Sequence, residues 1–169
     1  NKMRERGSLL DRGTHQRDPM ISVFGLAPYH NGVALGAGLR FTLPLIPNGF
    51  IPPINDSFEL EFGGDFAIDP SWGVGDDWRL WSAPAVAEAR WSFHITPKFS
   101  AYAKVGLGLE LDYYSWDYNN HGYYYEDDDL DFSLHHTEAV GVLFKLGDSF
   151  FLRGEVGYPD VRIGLGFAL

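Results

Sequence analysis

The chain contains no cysteine and only two methionines among its 169 residues. A disulfide-stapled scaffold, a thiolate metal site and thiol catalysis are therefore excluded. Long hydrophobic runs are also missing, and no apolar stretch approaches the roughly 18 residues that a membrane-spanning helix requires. Basic charge is scarce: 13 Lys and Arg stand against 23 Asp and Glu, leaving −10 at neutral pH. Such a chain repels nucleic-acid phosphates, so no nucleic-acid partner is expected. What is plentiful is aromatic (16%) and hydrophobic (45%) character, together with 20 glycines, which argues for one ordered domain. A mean hydropathy of −0.17 does not decide between water and lipid, because a transmembrane β-barrel turns only alternate residues outward.

Charge is unevenly placed. Residues 1–19 hold Lys2, Arg4, Arg6, Arg12 and Arg17 against Glu5, Asp11 and Asp18, a balance of +2, so the remainder carries −12. This basic segment lacks the apolar core of a signal peptide. It is expected to be an N-terminal arm, periplasmic in a membrane barrel or else an appended remnant, with Arg4, Arg6, Arg12 and Arg17 as candidate partner-binding residues. The barrel itself is assigned to 20–169.

From Ile21 onward apolar residues recur at every second position, the period of a strand with two unlike faces. In 98–113, Phe99, Ala101, Ala103, Val105, Leu107, Leu109 and Leu111 alternate with Ser100, Tyr102, Lys104, Gly106, Gly108, Glu110 and Asp112. The same division runs through 33–43, 57–68, 85–95, 139–146, 150–158 and 161–169 and, with a shorter strand near 20–27, gives eight strands. Thr96-Pro97-Lys98, Gly147-Asp148 and Tyr158-Pro159-Asp160 are tight-turn signals. The expected long connections are the proline-rich 44–56, 69–78 and 115–129. Together these predict an all-β fold, an eight-stranded antiparallel up-and-down barrel.

The composition of the polar face decides which side faces lipid. Arg40, Glu59, Glu61, Asp65, Glu88, Arg90, Lys104, Glu110, Asp112, Lys145, Arg153, Glu155 and Arg162 share that face with Gly36, Gly38, Gly106, Gly108, Gly164 and Gly166. An eight-stranded barrel is just wide enough inside for side chains, so long charged residues need small neighbours there. A water-exposed face has no reason to select glycine, which weakens strands. Aromatics such as Trp72, Trp78, Trp81, Trp91, Tyr113, Tyr114, Trp116 and Tyr158 fall near strand ends, where membrane-interface girdles belong. The expectation is a transmembrane barrel with a lumen charge network; the alternative is a soluble lipocalin- or avidin-like ligand-binding barrel with the faces reversed.

The chain end carries Arg162-x-Gly164-x-x-Phe167-x-Leu169, which resembles the C-terminal insertion signal of bacterial outer-membrane barrels, with Leu169 in place of their usual terminal Phe. With that signal, 20–169 resembles the small barrels of the outer-membrane protein A, X and W and opacity-protein group. The resemblance implies residence in the bacterial outer membrane, insertion by the barrel assembly machinery, and contact with outer-membrane lipid and lipopolysaccharide. It implies no cofactor.

Segment 112–132 alternates aromatics around Asn119-Asn120-His121-Gly122 and predicts a strand pair extending past the membrane. Tyr113, Tyr114, Trp116, Tyr118, Tyr123, Tyr124 and Tyr125 are its candidate partner-binding residues, since tyrosines supply contact area at low entropic cost. The acidic Glu126, Asp127, Asp128, Asp129 and Asp131 lack the ligand order of a calcium loop and are expected to form a solvated turn. His135 and His136 are adjacent on a strand and so point to opposite faces, which separates them as metal ligands. No metal site is expected. A lipid A-modifying activity, as in some barrels of this architecture, would draw on His30, Ser71, Asp76, Asp77 or Ser82, but no motif joins them. The function expected is non-enzymatic: surface binding or adhesion through the hairpin, or a structural role in an envelope complex through the arm.

Overall fold

The computed structural model describes residues 2–29, 35–68, 79–120 and 123–169; for 2, 79–80, 114–120 and 123–128 it describes the main chain alone. The described residues form eight strands: β1 (Met20–Pro28), β2 (Leu35–Ile46), β3 (Asp56–Ile68), β4 (Arg79–Thr96), β5 (Phe99–Asn120), β6 (Tyr123–Lys145), β7 (Phe150–Tyr158) and β8 (Asp160–Ala168). Each pairs antiparallel with the next, and β1 closes on β8 from Met20 opposite Ala168 to Pro28 opposite Asp160. The expected up-and-down barrel is therefore present, closed, with no free edge around its lower wall.

Alternation dictates the faces. Leu107 is 61% exposed on the outside, Val142 42% and Leu165 39%, whereas Arg40, Arg153, Glu61 and Glu88 are fully buried inside. The greasy side meets the surroundings and the charged side fills the middle, the reverse of a soluble barrel. An aromatic belt marks the end where the arm enters: Phe50 packs edge-on to Phe58 and Trp91, Trp91 lies against Phe93, and Phe150 lies against Phe167. At the other end Trp81 stacks between Phe66 and Tyr113, and His136 stacks on Tyr158. Two belts around an apolar band are what a bilayer-spanning barrel presents.

Three elements differ from the sequence expectation. Strand β2 runs through Pro44 to Ile46 by means of a register shift between those residues, so the connection is 47–55 rather than 44–56; a bulge absorbs the proline. Strand β4 begins at Arg79, six residues before the expected start. Pro84 sits within it opposite Glu110, and the β3 ladder skips from Ala85 to Ser82 without changing register, because proline lacks the N–H that a rung needs. Strand β6 begins at Tyr123 rather than at the expected 139 and pairs with β5 without a shift from Asn120–Tyr123 to Phe99–Phe144.

Strand tilt makes the wall uneven in height. Following paired residues from Ala168 through Met20, Thr42, Glu61, Glu88 and Gly106 leads to Thr137. The walk starts at the low end of β8 and finishes level with the top of β7. The wall is thus low along β7, β8 and β1 and tall along β4, β5 and β6. A charge placed on the lipid side should be costly: Leu165→Arg is expected to destabilise the folded barrel by about 2–4 kcal/mol, measured as a folding equilibrium in lipid vesicles, while a neutral result would place that face in water.

Candidate functional site

Within the lumen the charged side chains form one connected ladder. Arg162 pairs with Asp160 and, at 2.8 Å, with Asp65; Asp65 accepts two hydrogen bonds from Arg40 (2.7 and 2.8 Å), and Arg40 Nε donates to Glu88 at 2.6 Å. Lys104 joins Glu88 (3.1 Å) to Glu155 (2.8 Å), Arg153 joins Glu155 (2.6 Å) to Glu61 (2.9 and 3.0 Å), and Arg90 joins Glu61 to Glu59. Ser92 donates to Glu59 at 2.8 Å and Ser57 also donates to it; Ser57 in turn contacts His94, which reaches Ser100. The ladder runs from Asp160 at one rim to His94 near the other.

Burial on this scale is tolerable only because each charge meets an opposite one. Aromatic rings add to it: the Arg153 guanidinium lies 4.8 Å from the Phe24 ring centre, and Tyr102 donates to Glu155 at 2.7 Å. Glycine clears the space. A Cβ on Gly38 would fall 2.2 Å from Asp65 Oδ1, and one on Gly141 2.4 Å from Tyr102 Cζ. Of the other expected lumen residues, Glu110 contacts His135 Nδ1 at 2.7 Å, and Lys145 lines the arm-end mouth. Asp112 is buried opposite Asp131. Sequence reasoning missed Asp160, His135, Tyr102, Ser57, Ser92 and Thr137. Their inward parity was legible; that they would be drawn into the ladder was not, since polar hydroxyls and rings also suit a solvated face.

The arm is folded against the barrel. Leu9 bridges two strand ends, donating from its N–H to the Ile95 carbonyl (3.4 Å) and accepting from the Asn55 N–H (2.7 Å), while Ser8 is fully buried. Arg17 Nη2 donates to Asn55 Oδ1 at 2.6 Å and the His15 N–H to Asn48 Oδ1 at 2.8 Å. Between arm and barrel lies a cavity of about 280 Å³ lined by Arg17, Asp18, Glu59, His94, Lys145 and Phe151, among others. Burial lowers the Arg17 pKa and the nearby Glu59 opposes that shift. Asp11 fixes a turn by accepting from the Gly7 N–H (2.6 Å) and the Gly13 N–H (3.0 Å), which hold its carboxyl below the ordinary value of 3.8. Arg4, Arg6 and Arg12 remain exposed.

Of the insertion-signal residues, Arg162 and Gly164 face the lumen, and Phe167 (45% exposed) and Leu169 (66% exposed) face outward. Tyr113 stacks on Trp81. Tyr114, Trp116, Tyr118, Tyr123, Tyr124 and Tyr125 occupy paired positions on β5 and β6, and their side chains lie outside the described residues, as do those of Glu126, Asp127 and Asp128. His30, Ser71, Trp72, Asp76, Asp77, Trp78, His121 and Gly122 also lie outside them. Ser82 is buried and paired with Asp112 across β4 and β5. His135 points inward and His136 outward, as their adjacency requires, and among the described residues no three His, Asp or Glu side chains converge as a metal set.

Removing one member of the ladder leaves a buried charge unpaired. Arg153→Ala should lower stability by about 3–5 kcal/mol, and Arg153→Met combined with Glu61→Gln by distinctly less, read from the temperature at which the compact unboiled gel band disappears. Asp11 should titrate below 3.8 in an NMR pH series. Its depressed pKa favours the docked arm above that range, and the preference fades as pH falls through the folded value; titration at or above 3.8 would show the turn absent.

No protein-family model matches the chain, and no curated protein matches it. Among solved structures it resembles Ail, the attachment invasion locus protein of Yersinia pestis (TM-score 0.57, 12% identity, 91% of this chain and 100% of that one). It also resembles the N-terminal β-barrel domain of Pseudomonas aeruginosa OprF (TM-score 0.54, 15% identity, 91% and 98% covered) and a de novo designed transmembrane β-barrel (TM-score 0.54, 15% identity, 91% and 98% covered). With its closed wall, outward apolar band and filled lumen, the chain has the fold of the small eight-stranded outer-membrane β-barrels.

Proposed function

We propose that the protein is a non-enzymatic surface-binding barrel of the bacterial outer membrane that acts through the β5–β6 hairpin. One observation carries this reading. Among the described residues, strand β6 pairs with both neighbours from Glu138 onward, and Tyr123–Thr137 pairs with β5, so the hairpin rises past the rim set by the β7–β8 turn. The arm and Leu169 lie at the opposite end, where the Leu169 N–H donates to the Pro19 carbonyl. A chain inserted with its termini in the periplasm would raise the hairpin above the cell surface.

The filled lumen supports this division of labour. Ion pairs occupy the space a solute would need, which favours work at the ends over transport through the middle. The likeness to a protein named for attachment and invasion agrees with the reading, although at 12% identity it is a likeness of fold. Replacing 116–129 with a short turn should abolish attachment of protein-bearing cells to host-cell or matrix surfaces while the barrel still folds and shows its heat-dependent gel shift. Undiminished attachment by the shortened, folded protein would remove the hairpin from the function.

A further inference from the structure

The mouth at the arm end holds two cationic groups that the charge ladder leaves unused. Arg17 gives Nη2 to Asn55, yet its Nε is buried without a hydrogen-bond partner. Lys145, on the barrel side of the same cavity, is half-buried on β6 opposite Phe151 of β7, and among the described residues its ammonium has neither an ion pair nor a hydrogen bond. The carboxylates that also line the cavity are committed or face water: Glu59 is engaged by Arg90, Ser57 and Ser92, while Asp18 and Asp148 are exposed. A buried donor left unsatisfied is costly, so Arg17 Nε in particular asks for an acceptor.

The same cavity has an apolar wall. Met20 and Leu143 are buried against one another with Phe151 packed on them, and all three line it. Its volume of about 280 Å³ lies near the lower end of small-molecule sites, which run from about 300 to 1,000 Å³. Water satisfies the donors but leaves the apolar wall wetted; a molecule with an acidic group on a short apolar body satisfies both. Four cationic side chains line the cavity against three carboxylates, a balance that suits one negative charge and not two.

We propose that this cavity binds a small organic acid, a single carboxylate on a short apolar body, held by Arg17 of the arm and Lys145 of β6 with its apolar part against Leu143 and Phe151. Charge-assisted hydrogen bonds from both cations would fix the carboxylate. One cation comes from the arm and the other from the barrel wall, so occupation of the site favours the docked arm. The site lies at the end opposite the β5–β6 hairpin and stands independently of the surface-binding function.

The test uses the full chain in phosphatidylcholine nanodiscs, titrated with phenylacetate by calorimetry against protein-free nanodiscs. Saturable binding of one molecule per chain is expected. The uncharged phenylacetamide and the bodiless acetate should each bind at least about tenfold more weakly. Lys145→Gln, which leaves the arm's contacts in place, should weaken phenylacetate binding by at least about tenfold, as should Arg17→Gln, with the heat-dependent gel shift retained in both. Saturating phenylacetate should also slow trypsin cleavage after Arg12. Absence of saturable binding, equal affinity for acid and amide, or affinity unchanged in the folded Lys145→Gln protein would overturn the site. Unchanged cleavage at saturation would remove the arm from it and overturn the proposal as stated.

Discussion

Everything in this molecule depends on pairing charge inside a space that admits no spare side chain. Closing eight strands leaves a lumen just wide enough for side chains, and the chain places Arg40, Arg90, Lys104, Arg153 and Arg162 there against Glu59, Glu61, Asp65, Glu88, Glu155 and Asp160. None of these could be buried alone. The ladder that joins them ties strands far apart in sequence, as when Arg153 of β7 reaches Glu61 of β3, and so fixes the barrel from within. With the polar groups consumed inside, the outside is free to be apolar and to meet lipid.

The two ends then acquire separate characters. At one, the arm is tied to the strand ends by Leu9, His15 and Arg17, which narrows that mouth and brings a guanidinium near Glu59, where the ladder has one more carboxylate than cation among the residues just named. At the other, strand tilt lowers the wall at β7 and β8, and among the described residues β5 and β6 continue past their neighbours. The same geometric necessity that closes the barrel therefore sets a hairpin above it.

Strand faces were legible in the sequence because a period of two leaves each residue only one alternative, and glycines set among charges separate a crowded lumen from a wet surface. Alternation alone thus places Leu107 outside and Lys104 inside, where they lie. Strand ends were less legible. The expected strand starts just after Pro84 and the expected connection starts at Pro44, yet a gap of two residue pairs in the β3–β4 ladder and one register shift accommodate these prolines. The start of β6 was obscured because Glu126 to Asp131 read as a turn; their pairing with β5 is set by register propagated from Phe99–Phe144, a non-local cause that composition does not show. The docking of the arm was illegible for a similar reason: Leu9 and Ser8 carry no pattern, and their places are set by carbonyl and amide groups of Ile95 and Asn55.

The absence of native cysteine makes single spin labels unambiguous reporters of which medium wets the apolar wall. Labels at Leu107, Val142 and Leu165 in the protein folded into lipid vesicles should collide freely with dissolved oxygen and scarcely with a water-soluble nickel chelate. Labels shielded from both, or open to the chelate, would mean that the apolar side is a dry core or a wet surface, and would contradict the central claim.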